Sequence, residues 1–109
     1  MKPINKEQFC KDVHDFIKEH INEIQDSYSD LGFKDSEDML NQILNDYEIA
    51  TWAFTELLFW GLKENYLRKF RIYETDDYYV TKLNNHYYLY DWNNFYEAEK
   101  KTKVIEVWE

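Results

Sequence analysis

The sequence predicts an α+β fold in which two N-terminal helices pack on a C-terminal antiparallel sheet of three to four strands. Two observations carry this. Apolar residues recur every three or four positions through the first half of the chain. After Lys69 they give way to short runs of Tyr, Val and Ile separated by Asn and Asp pairs. The 109 residues amount to a single domain, 1–109, helical over about 5–68 and a β-meander over about 70–108.

The first helix is expected over 5–28. Asn5 and Gln8 have the spacing of a capping box, and Phe9, Val13, Phe16, Ile17, Ile24 and Tyr28 form one stripe. Gly32, in Ser29-Asp30-Leu31-Gly32, is suited to a left-handed cap conformation. Ser36 is the expected cap of the second helix, with Glu37 and Asp38 in its first turn. Met39, Ile43, Tyr47, Ala50, Phe54, Leu57 and Gly61 then continue at helical spacing, giving a long helix over 36–66, kinked or divided near residue 50. From Ile49 to Leu62 it is apolar nearly all round, which marks a central core element or a homodimer interface. The expected strands are Phe70–Glu74, Tyr78–Leu83, His86–Trp92 and Val104–Trp108, with Phe95–Lys101 as a helical turn or loop. Asn84-Asn85 reads as a two-residue type I′ turn, because Asn tolerates positive φ.

Composition narrows the function classes. With two glycines, Gly32 and Gly61, there is no Gly-rich phosphate loop. Cys10 is the one cysteine, so no internal disulfide forms. Cys10 and His14 are four apart, but the remaining spacing of a structural zinc site is missing, and neither a metal nor a cofactor is expected. His86 reads as a half-exposed strand histidine, and no spacing marks a nucleophile with its base, so no catalytic residue is assigned. No apolar run is long enough to span a bilayer or follows the N-terminal lysines as in a leader peptide, and the expected location is the cytoplasm.

Net charge is −9, from 22 acids and 13 bases. Residues 1–50 hold 12 acids and 5 bases, net −7, whereas residues 51–109 hold 10 and 8, net −2. Such a field repels nucleic acid and anionic membrane surfaces and favours basic protein partners. Asp12, Asp15, Glu19, Glu23 and Asp26 are spaced to fall within an arc of roughly 80° on the first helix, with carboxylates about 5–6 Å apart. That is close to the pitch of phosphates on a nucleic-acid strand. The bland alternative is a solvated face that aids solubility. Lys63, Arg68, Lys69 and Arg71 form one basic cluster, suited to a helix C-terminus.

Aromatic load is the second feature: 10 Tyr, 7 Phe and 4 Trp. Tyr78/Tyr79 and Tyr87/Tyr88 place adjacent rings on opposite sheet faces, so part of the sheet is expected to serve an interface, with Tyr78, Tyr88 and Tyr90 as anchors. The acidic row, the low glycine content and the Tyr-rich hairpin Tyr78–Trp92 resemble the small acidic inhibitor proteins of phages and mobile elements, anti-CRISPR proteins among them. The resemblance is one of general character and carries no shared motif. It implies a non-enzymatic DNA mimic that occupies the basic surface of a nucleic-acid-handling protein, such as an RNA-guided nuclease, inside a bacterial host cell. The basic cluster at Lys63–Arg71 departs from a purely DNA-mimicking surface. Two further readings share these features: an immunity or antitoxin protein that neutralises a cognate toxin, and a homo-oligomeric structural protein of a mobile element.

Overall fold

The computed structural model describes residues 3–24, 29, 31–60 and 71–98, without the side chains of 23, 24, 57–60 and 71. The fold is α+β, with helices preceding a four-stranded antiparallel sheet among the described residues. Helix α1 spans Lys6–Glu19 and a single turn, α2, spans Ile21–Ile24; α3 is Ser36–Asn45 and α4 is Tyr47–Trp60. The strands are β1 Arg71–Glu74, β2 Tyr79–Leu83, β3 His86–Tyr90 and β4 Phe95–Ala98, in sheet order β1-β2-β3-β4.

Asn5 caps α1 by accepting from the Gln8 backbone N–H at 3.1 Å. The reciprocal half of the capping box is absent, because the Gln8 side chain donates forward to Asp12 instead. Phe9, Val13, Phe16 and Ile17 are buried along the predicted stripe; α1 closes at its His20 cap and the separate turn α2 follows, while residues 25–28 of the expected helix, Tyr28 among them, lie outside the described residues. Gly32 has φ +86°, the left-handed conformation expected of it.

The second helix departs from expectation in two ways. Its cap is Asp35, which accepts from Asp38 N–H at 2.7 Å, so Ser36 is the first helical residue. It is also not one long helix. Asp46 is extended, at φ −141° and ψ 112°, and its side chain accepts from the N–H groups of Glu48 and Ile49 at 2.9 and 3.2 Å. A side chain that fills those orphan donors begins a new helix where the old one stops, four residues before the division expected near residue 50.

The sheet follows the predicted hairpins, with one correction. Asn84 and Asn85 have φ +48° and +67°, and Leu83 pairs with His86 across them. Phe95–Ala98, expected as a helical turn or loop, is instead β4, paired along β3 from Tyr87↔Ala98 to Tyr90↔Phe95. Glu97 and Ala98 are good helix formers, but ladder pairing together with burial of Phe95 outweighs that local preference. Val104–Trp108 and most of the Lys63–Arg71 cluster lie outside the described residues.

The core lies between the helices and one sheet face. Phe9 is fully buried, and its ring meets Tyr47, Phe54, Tyr88 and Phe95 at centroid distances of 5.6, 6.4, 5.1 and 4.9 Å. Ala50, Ala53 and Phe54 bring α4 into the same cluster, so the described part of Ile49–Leu62 contributes to the core. On the opposite sheet face, Val80 and Leu89 are buried against Tyr73, Tyr78, Tyr87, Tyr96 and Ala98.

Candidate functional site

The first residue of the predicted acidic row does not face solvent. Asp12 is fully buried and accepts four hydrogen bonds, two on each carboxylate oxygen. Gln8 Nε2 and Asn84 Nδ2 reach Oδ1 at 2.8 and 3.2 Å, while His86 Nδ1 and the Tyr88 hydroxyl reach Oδ2 at 2.9 and 2.5 Å. A buried carboxylate is costly unless its lone pairs are filled, and these donors fill them. Burial first, and then the bond to Asp12, push the Tyr88 phenol far above its ordinary range. The group works as a clasp between α1 and the β2–β3 hairpin. It also orients His86, whose side chain is 52% exposed, with a buried carboxylate behind its Nδ1.

Asp15 is 41% exposed and meets His14 Nδ1 at 2.9 Å and Asn84 Nδ2 at 3.4 Å. Glu19 is exposed. The side chain of Glu23 and the whole of Asp26 lie outside what is described. The acidic surface of the helices is therefore broader than a single row: Glu7, Glu19, Glu37 and Glu48 are exposed on α1, α3 and α4.

The three predicted tyrosine anchors separate. Tyr88 and Tyr90, 1% and 8% exposed, face the helices; Tyr78 is partly exposed on the opposite face. There it is joined by Tyr87, paired with Tyr88 in the sequence reading but not counted among the anchors, and by Tyr73 and Tyr96, which sequence reasoning did not single out. The signal was present for Tyr87. A two-residue turn at Asn84-Asn85 pairs Val80 with Leu89, so Tyr78, Val80, Tyr87 and Leu89 share a face and Tyr88 and Tyr90 cannot join them.

An open cleft of about 690 Å³ lies where the start of α4 meets the β3–β4 turn. Tyr47, Trp52 and Tyr90 line it together with Asp46, Glu48 and Lys6. Trp52 is 44% exposed, and Lys6 Nζ stands 5.2 Å from the centroid of the Tyr47 ring. Sequence reasoning passed over this cleft because its walls come from distant parts of the chain. Among the described residues no three His, Cys, Asp or Glu side chains come together as a metal site. Cys10 is 4% exposed, and burial pushes its thiol up. No helix among the described residues is long and apolar enough to cross a membrane.

Fold and surface together define a small α+β protein with an acidic helical side, an aromatic cleft and a tyrosine-rich outer sheet face. Comparison with protein-family models, curated proteins and solved structures finds no match.

Proposed function

We propose that the chain is a stoichiometric inhibitor that binds the basic surface of a nucleic-acid-handling protein, such as an RNA-guided nuclease, in the cytoplasm of a bacterial host. The observation that carries this reading is a net charge of −9 with Glu7, Asp15, Glu19, Glu37 and Glu48 at least partly exposed on the helices. Carboxylates so placed compete with phosphates for Lys and Arg, speed association at low salt and lose strength as salt rises. The part-exposed Tyr73, Tyr78, Tyr87 and Tyr96 offer contact area that salt does not weaken. Asp12 and Tyr88 support the fold from inside, Tyr90 is mostly buried and lines the cleft, and the partner-facing set becomes Asp15, Glu19, Glu37 and the outer tyrosines.

The test is a pull-down from bacterial extract washed at low and then high salt, followed by a cleavage assay with the nuclease recovered. Inhibition that titrates one to one, and is lost in the triple variant Asp15→Lys, Glu19→Lys, Glu37→Lys while the fold is retained, is the expected result. Full inhibition by that variant would overturn the acidic-surface mechanism.

A further inference from the structure

We infer that the cleft between the start of α4 and the β3–β4 turn seats a guanidinium side chain of the basic protein partner; this deepens the reading above and rests on it for the partner's class. Tyr47, Trp52 and Tyr90 give it aromatic walls, and Asp46 and Glu48 give it carboxylates at the rim. Its volume of about 690 Å³ lies within the range of ligand-sized clefts.

The chemistry selects a cation. The start of α4 would otherwise draw an anion, but Asp46 already accepts from the N–H groups of Glu48 and Ile49, so the chain's own carboxylate occupies that position. Phosphate would also meet Glu48. A cation meets favourable ring faces instead, and one such contact is already made: the Lys6 ammonium lies 5.2 Å from the Tyr47 ring centroid. Arginine suits the remainder better than lysine. Its planar head stacks on an indole while forking to a carboxylate, and Trp52 is 44% exposed, with Glu48 four residues away along the helix.

The probe is acetyl-Gly-Arg-Gly-amide, with the citrulline peptide as its uncharged, near-isosteric control. Each is titrated into the full chain while the Trp52 indole N–H is followed by NMR. A saturable shift of Trp52 with the arginine peptide, absent with citrulline, is expected. Lys6→Ala removes the internal cation and should tighten the arginine peptide about 2- to 5-fold. Glu48→Gln should weaken it about 2- to 5-fold. Equal shifts from the two peptides, no shift of Trp52, or weaker binding by Lys6→Ala would overturn the inference. The two readings fail separately. If Trp52 responds to arginine as stated but no nucleic-acid-handling protein is captured, the cleft stands and the partner class is wrong. If capture and inhibition hold but Trp52 ignores the arginine peptide, the cleft is refuted and the inhibitor reading stands.

Discussion

A carboxylate shut away from water is tolerated when every lone pair has a donor, and Asp12 receives four. Removing it leaves the Tyr88 hydroxyl buried without its acceptor, along with the partners around it. Asp12→Ala should therefore cost about 3–5 kcal/mol in chemical denaturation, whereas Asp15→Ala, at a half-exposed site, should stay within about 0.5 kcal/mol. Tyr88 adds a pH signature. Its folded-state pKa is raised above the ordinary value of 10, so the unfolded chain gives up this proton first as pH climbs. Stability from this group is fully present below about pH 10 and falls as pH rises beyond it. Alkaline denaturation should show that decline, and Tyr88→Phe should flatten it. Cys10, buried with its thiol pushed up, should resist alkylation in the native protein and react once the chain is unfolded. The sequence held a cue to the role of Asp12, which lies three residues after Phe9 and four before Phe16, at a core-facing position of the apolar stripe.

The elements are set by short polar devices as much as by apolar periodicity. Asp46 ends α3 and starts α4, so Asp46→Ala should cost about 1 kcal/mol and be visible as a lowered melting temperature. Asn85 holds φ +67° at the second turn position, where glycine suits a type I′ turn best, so Asn85→Gly should stabilise the protein by a few tenths to about 1 kcal/mol. Asn84→Gly should not, because its side chain donates to Asp12 and Asp15. Helix α1, the hairpin and the first three strands were legible because their periods of 3.6 and 2 are strong. The break at Asp46 was hidden because Met39, Ile43, Tyr47, Ala50 and Phe54 keep helical spacing straight across it. Strand β4 was hidden because its pairing with β3 supplies what local propensity does not.

For the whole molecule, charge and packing pull in opposite directions. A net −9 repels itself, so raising salt from roughly 0.05 to 0.5 M should raise the melting temperature even as it weakens a basic partner's grip. The acidic character was readable from composition alone. Which acids are already engaged was not, since Asp12 is buried in the clasp while Asp35 and Asp46, both exposed, accept from backbone N–H groups as caps. The cleft was out of reach because Lys6, Trp52 and Tyr90 meet only in the folded chain.

The clasp also has a kinetic meaning. Each β-hairpin of the meander joins neighbours in sequence and closes over a short stretch of chain, whereas the clasp bonds from Asn84, His86 and Tyr88 to Asp12 span 72, 74 and 76 residues. Long-range closure follows local pairing when its entropy must be met first. The clasp is then expected to form late in folding and to open early in unfolding. Loosening it with Tyr88→Phe should steepen escape from the native state while leaving the refolding rate nearly unchanged, a division that stopped-flow chevrons would read directly.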